Sequence, residues 1–401
     1  MKILYSLPHP SDRLGAQRAG HMIRATAMLS ALQNLGHEVI RVEAASSAGT
    51  QLSVSVYRKL IRNLLPRPIA MRMRDRARIQ HGIRYASHLI ERAQQNKPDL
   101  ILETHIAFSL AGKIASEQTG LPLILDDCTP AWEEEQQYGV GLKNEVKRIH
   151  REVTAQASLL IAVNKTMRRN LLEEGAPPET VITVENGFDD KAFYPGVDGS
   201  HFRKQFQIPD DSVVIVFVGS FQPYHRVDLL LRSFQLLRGA AKVHLLIVGE
   251  GRTLQDCKEL AKTLGLTSRV TFVGRVPYAE VPSYAAAGDI AVMPATNAYG
   301  NPMKIYEYMA LGKAIIAPLQ PTITEIATHG EDAYLFKAED ISSLASAINT
   351  LVSDPDLVLR LGRCGAKRAS EHSWDKRAQV LQDAMQGVLR NNRPAPGSKR
   401  G

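Results

Sequence analysis

Short apolar runs separated by longer mixed stretches recur along the whole chain. In the first half they are KILYS (2–6), EVIRV (38–42), DLILE (99–103), PLILD (122–126), LLIAV (159–163) and VITV (181–184). In the second they are VVIVFVG (213–219), VHLLIVG (243–249), VTFVG (270–274), DIAVM (289–293), AIIAP (314–318) and YLF (334–336). Each is short and rich in Val, Ile and Leu, which suits a strand of a parallel sheet covered on both faces. The stretches between them carry helical spacing. The first, about Gln17 to Leu35, stops at Gly36, a residue suited to a left-handed helix cap. Strands alternating with helices predict an α/β protein built on parallel sheets.

The pattern runs through twice. Between its two halves lies ENGFDDKAFYPGVDGS (185–200), whose Gly, Asp and Pro content marks a linker. The prediction is two doubly wound domains, residues 1–190 and 191–373, then a helix over 374–390 and a disordered tail over 391–401. Two such domains facing each other would bring their carboxyl-edge loops to one cleft, where sheets of this kind bind ligands.

Composition narrows the class. A chain of 401 residues, 44% hydrophobic and 22% charged, is long enough for two cores. No run approaches the roughly 18 apolar residues of a membrane span, and the opening MKILYSLP is broken too early for a signal peptide. Cys128, Cys257 and Cys364 are far apart and form neither a disulfide framework nor a zinc pattern. The expected location is therefore cytoplasmic. The net charge of +8 is concentrated in residues 58–84, where nine Arg or Lys face one acid, Asp75. Apolar residues from Leu60 to Ile83 alternate with these cations, which predicts either a basic amphipathic helix that holds an acidic acceptor or an anionic membrane surface, or a plain solvated face. The segment lacks aromatic interleaving and any nucleic-acid reader motif, so no nucleic-acid partner is expected.

Candidate chemistry gathers in the second half. Gly219, Gly249, Gly251 and Gly274 each end or follow a strand, where backbone amides can approach a bound group. Neither first strand is followed by the glycine pattern of a dinucleotide dehydrogenase, and GEGRTL (249–254) lacks its last glycine. A phosphate loop fails as well, because Ala314 follows Lys313. The most informative stretch is NPMKIYEYMALGKAIIAP (301–318). A helix begun by Pro302 would offer free amides and the positive end of its dipole to a phosphate, with Lys304 adding charge. Glu307 falls one turn on, among tyrosines and apolar residues. A buried carboxylate there needs a partner, and a ribose diol can supply two hydroxyls at once. The plainer alternative is a weak Lys–Glu pair on a solvated face.

These residues resemble the retaining glycosyltransferases of family 4. The likeness lies in the 301–318 stretch and TEIATHGEDAYLF (324–336), with FVGSFQPYHRVDLLLRSF (217–234), residues 245–294 and residues 161–195. It implies the GT-B fold, two Rossmann-like doubly wound parallel-sheet domains facing across a cleft, acceptor-binding first and nucleotide-sugar-binding second. The last helix would cross back to the first domain. By position, Glu307 would hold the ribose, and Tyr299, Gly300, Asn301, Pro302, Met303 and Lys304 would line the donor sugar and diphosphate. Arg275 and Val276 would touch the base, and Gly219 and Gly249 would border the phosphates. Ser220 and His225 stand where the family places a diphosphate-clamping Arg and Lys, and Arg226 is the expected substitute cation. Tyr299 stands where an acid often meets the donor sugar. Gly15 is what remains of a Gly-Gly after the first strand.

A family histidine near the reaction centre corresponds to Cys128, with His105 in ETHIAF as a nearby substitute; His105, Asp127 and Arg226 are the catalytic candidates. His105 and the Asp126–Asp127 pair read equally as strand-end caps. No metal is expected, since Asp354 and Asp356 open a helix and read as caps. The resemblance implies hexosyl transfer from a nucleotide-diphosphate sugar, a substrate rather than a cofactor, to the hydroxyl of a sugar, lipid-linked or small-molecule acceptor. The anomeric configuration would be retained. A sugar-nucleotide epimerase or a non-catalytic sugar-nucleotide binder of the same fold are the alternatives.

Overall fold

All the apolar runs form strands. They are β1 (Lys2–Leu7), β2 (Glu38–Glu43), β3 (Leu100–Thr104), β4 (Leu123–Asp127), β5 (Leu159–Ala162) and β6 (Val181–Thr183), followed by β7 (Val213–Val218), β8 (Val243–Val248), β9 (Val270–Gly274), β10 (Ile290–Val292), β11 (Ala314–Leu319) and β12 (Tyr334–Lys337). The computed structural model describes residues 1–9, Asp12, Leu14, 20–44, 65–127, 129–130, 139–237 and 242–391. The strands pair in parallel into two six-stranded sheets, ordered β2-β1-β3-β4-β5-β6 and β12-β11-β10-β7-β8-β9. By contacts the chain divides into one unit of Met1–Glu185 with Arg377–Gly401 and a second of Asn186–Lys376. These divisions fall a few residues from the expected 190/191 and 373/374.

The second unit shows why its strands lack polar alternation. Val214, Val216, Leu246, Val248 and Ala291 enter one apolar layer, while Ile215, Phe217, Leu245, Ile247 and Val292 enter another. Successive side chains point to opposite faces, so a sheet with helices on both sides makes most positions apolar, His244 and Thr271 pairing with each other as the exceptions in β8 and β9.

In the first unit, helix Gly20–Asn34 is followed by Gly36 at φ +84°, the left-handed conformation its sequence predicts. The unit is completed by helix Trp374–Asn391, whose Ala378, Leu381 and Met385 are buried. Arg377 Nη1 donates to Glu185 Oε2 at 3.1 Å and His37 Nε2 donates to Gln382 Oε1 at 2.7 Å.

Of the basic segment, residues 58–64 lie outside the described residues. From Arg67 it forms the 30-residue helix Arg67–Asn96. Its acid, Asp75, is fully buried and accepts from the amides of Gly141 (2.7 Å) and Leu142 (3.2 Å), fixing the approach to helix Lys143–Gln156. Ile69, Met73 and Ile83 are 48%, 51% and 39% exposed and follow helical spacing on one stripe, with Arg72, Arg76 and Arg84 exposed beside them. Among the described residues no helix is long and apolar enough to cross a membrane.

Candidate active site

The second sheet reverses its strand order between β7 and β10. Connections leave such neighbours toward opposite faces, opening a crevice beyond their carboxyl ends. The segment after β7, Gly219 to Arg226, and the segment after β10 leading into helix Met303–Ala310 both start here.

Lys304 joins the two. A Cβ on Gly219 would come within 2.5 Å of Lys304 Nζ, and one on Gly249, at φ +134°, within 1.9 Å of the Gly219 carbonyl oxygen. Glycine is a steric requirement at Gly249, which meets backbone at a positive φ, whereas a side chain at Gly219 would displace the Lys304 ammonium. Lys304 Nζ lies 3.3 Å from His225 Nε2 and 4.8 Å from the centroid of the Phe217 ring. His225 Nδ1 donates to the Ser220 carbonyl at 2.5 Å, which leaves Nε2 to accept from the ammonium. Burial, reinforced by the Lys304 charge, pushes His225 down to about 3, so the ring is neutral. Burial also draws Lys304 down to about 8.

Pro302, at φ −75°, precedes the helix, and among the described residues no side chain caps its start. Glu307 follows one turn after Lys304, 8% exposed, and accepts from the Tyr278 hydroxyl at 3.1 Å through Oε1. Burial pushes its carboxyl up to about 7 against the opposing pull of Tyr278 and Lys304. Tyr278 comes from the connection after β9 that also carries Arg275 and Val276. Val276 and Tyr278 pack on the core of the unit, and Arg275 Nη1 donates to Glu250 Oε1 at 3.0 Å.

Other expected residues take different parts. Asn301 is buried as a loop brace: its Oδ1 accepts from the Asn186 amide at 2.9 Å and its Nδ2 donates to the Tyr306 hydroxyl at 3.2 Å. Tyr299 is 8% exposed, and a Cβ on Gly300 would meet Asn297 Oδ1 at 2.4 Å. Met303 opens the helix, half-buried. Arg226 sits in the left-handed region at φ +47°, its guanidinium held by Asp228 (2.9 and 3.1 Å) and paired with Glu339. The cation against Gly219 is Lys304.

In the first unit, His105 follows β3, Asp127 ends β4 and His150 lies on helix Lys143–Gln156. His150 Nε2 donates to Asp127 Oδ2 at 3.2 Å, while His150 Nδ1 is 2.8 Å from Glu174 Oε2. The ring centroids of His105 and His150 are 5.5 Å apart. Burial brings His105 down to about 4. Burial also opposes charge on His150, but Asp127 and Glu174 outweigh it and raise the ring to about 10. Asp126 is taken by Arg24, whose Nε and Nη2 donate to it at 2.9 and 3.0 Å. Gly15 and Cys128 lie outside the described residues. Asp354 accepts from the Leu357 amide at 2.9 Å, the capping role expected of it.

Sequence reasoning missed Tyr278, Asn186, His150 and Glu174. Only His150 carried a signal. It shares the helical spacing of Val146, Ile149 and Val153, which are fully buried, so a polar group there needed partners.

Residues 199–368 match the family described as Glycosyl transferases group 1, and residues 20–192 match Glycosyltransferase Family 4. A D-inositol 3-phosphate glycosyltransferase of Geodermatophilus obscurus is 26% identical over 316 residues, spanning 74% of this chain and 69% of that relative. One of the same name from Stackebrandtia nassauensis is 28% identical over 268 residues, spanning 62% of this chain and 59% of its own length. Anabaena HepE, solved in complex with UDP and glucose, superposes with a TM-score of 0.73 at 18% identity, covering 96% of this chain and 100% of HepE. That likeness is one of fold.

Proposed function

The chain belongs to the group 1, family 4 glycosyltransferases, and on that footing we propose that it moves a hexosyl group from a nucleotide-diphosphate sugar to an acceptor hydroxyl with retention of configuration. The observation that carries the donor assignment is the placement of Glu307: buried, one turn beyond an uncapped helix start, on the helix that sends Lys304 to Gly219.

Each part has a physical task. The amides at the helix start and the Lys304 ammonium meet the diphosphate, the group that gains charge as the sugar leaves. Glu307 accepts from the ribose hydroxyls, with Tyr278 orienting its carboxylate. Val276, half-buried on the core beside Tyr278, presents backbone to the base. In the transfer the anomeric C–O bond to the diphosphate breaks, a bond to the acceptor oxygen forms on the same face, and the acceptor proton passes to the departing phosphate oxygen. The position where the family often carries an acid beside the donor sugar holds Tyr299, which supports this front-face course over a carboxylate nucleophile there. The charge at the diphosphate is met by Lys304 and the helix, with no dication in that role.

The complex of HepE with UDP and glucose supports a uridine diphosphate hexose as the first donor to test, and the names of the relatives support a sugar or cyclitol acceptor. The exposed stripe of Ile69, Met73 and Ile83 among arginines supports a cytoplasmic protein resting on an anionic membrane surface. The deciding experiment incubates the protein with a panel of sugar nucleotides and acceptors. It follows nucleoside diphosphate release by mass spectrometry and the product anomer by NMR. Acceptor-dependent release with retained configuration is expected; isomerisation without acceptor would identify an epimerase, and donor binding without turnover a binding protein.

A further inference from the structure

We propose that His105, Asp127 and His150 form a binding site for a divalent first-row transition-metal ion of the zinc class inside the first unit. The three side chains come from the ends of two adjacent parallel strands and from one helix, and are 8%, 1% and 3% exposed. Each offers one ligand atom, and these atoms lie within 4.8 Å of one another. Ligands held at 2.0–2.2 Å around a tetrahedral ion stand about 3.4 Å apart; His150 Nε2 and Asp127 Oδ2 are already at 3.2 Å.

Two further observations point to an occupant. His105 Nδ1 and Asp127 Oδ1 are buried without a hydrogen-bond partner, an arrangement that is costly unless something else satisfies the atoms. The hydrogen bond of His150 Nε2 to Asp127 Oδ2 leaves both of those atoms unsatisfied. An ion between the three side chains takes a lone pair from His105 and from Asp127, and replaces the proton held between His150 and Asp127. Glu174 Oε2, also buried without a hydrogen bond, stands 2.8 Å from His150 Nδ1, the place of the outer carboxylate that metal-bound histidines commonly engage. Two imidazoles and one carboxylate suit zinc, cobalt or iron(II); magnesium and calcium prefer all-oxygen sets.

The site is read without reference to sugar transfer, and its test needs no donor or acceptor. The tag-free full chain, stripped with a chelator, is titrated with Co²⁺ and then Zn²⁺. One equivalent of Co²⁺ should give a visible absorption band of low-symmetry four- or five-coordinate cobalt. Zn²⁺ should displace the band and raise the thermal midpoint. His105→Asn should weaken Co²⁺ binding at least tenfold and remove the band, while His244→Asn, in the second unit, should leave both unchanged. Absence of the band in the unaltered chain overturns the proposal, even if a variant fails to fold. So does a band that survives His105→Asn, or substoichiometric binding, which marks an adventitious ion only.

Discussion

The Tyr278 hydroxyl donates to Glu307 Oε1 at 3.1 Å across two connections of the second unit, and among the described residues no other side chain hydrogen-bonds that carboxylate. A buried carboxylate held at one oxygen keeps the other for a ligand. If that ligand is a ribose diol, Glu307→Gln removes charge-assisted bonds worth about 1.5–3 kcal/mol, or about ten- to a hundredfold in affinity. Calorimetry with UDP and other nucleoside diphosphates checks this, and an unchanged dissociation constant would remove Glu307 from the donor site.

Affinity should also depend on pH near neutrality. Burial raises Glu307 to about 7, so its charged form gains population, and diol binding strengthens, as pH rises through 7. Tyr278→Phe deletes a bond that favours the carboxylate, and the rising limb should move to higher pH. Dissociation constants from pH 5.5 to 9 in both proteins test it; superimposable profiles would show that Tyr278 does not tune the acid.

Lys304 should govern the opposite limb. Its ammonium is drawn down to about 8 by burial, so diphosphate affinity should fall as pH passes that value. Lys304→Met should weaken UDP at least tenfold while leaving uridine nearly unaffected, because only the diphosphate engages the charge. Equal losses for both ligands would mean that the substitution disturbs the fold of the loop instead.

Much of this was legible in the sequence, for a simple reason. A parallel sheet covered on both faces writes itself as uninterrupted Val, Ile and Leu, and every such run from KILYS to YLF became a strand. The placement of Pro302, Lys304 and Glu307 at and along a buried helix was legible too, because a charged pair stands out against Ile305, Tyr306 and Tyr308. What the sequence hid was pairing over long separations. Nothing near Tyr278 signals a partner 29 residues away. Nothing near Arg226 shows that Glu339, 113 residues away, also engages its guanidinium while Lys304 turns to Gly219. Asp75, singled out in the sequence only as the one acid facing nine cations, is a buried brace.

Stability should respond to a different acid. Glu103 is fully buried, accepts from Ser6 Oγ at 2.7 Å, and is raised by burial to about 7. Its folded form therefore binds a proton more tightly than the unfolded chain. The associated stability is present below the unfolded value of 4.5 and is lost as pH rises through 7. Glu103→Gln keeps the shape without the ionisation and should be more stable than the parent at pH 8, by at most about 3 kcal/mol. The difference should shrink toward pH 5. Denaturant melts at both pH values measure it, and equal stability at pH 8 would count against a raised acid.

The exposed stripe of the Arg67–Asn96 helix makes a surface prediction. Sedimentation with vesicles should require anionic lipid and weaken with salt, since arginine supplies the attraction. Replacing Ile69, Met73 and Ile83 together by serine should reduce binding severalfold without changing the melting temperature. Indifference to lipid charge and to salt would leave the stripe a solvated face.

The first unit takes its last helix from beyond the second, so its two pieces are made at different times. On the ribosome the continuous span Asn186–Lys376 is complete before Leu381 and Met385 emerge to cover the earlier-made β-sheet. Nascent chains that end at Lys376 and are stalled through a linker long enough to clear the exit tunnel should therefore protect the later-made unit from protease while the earlier-made one is still cut, an inversion of the usual amino-to-carboxyl order of maturation.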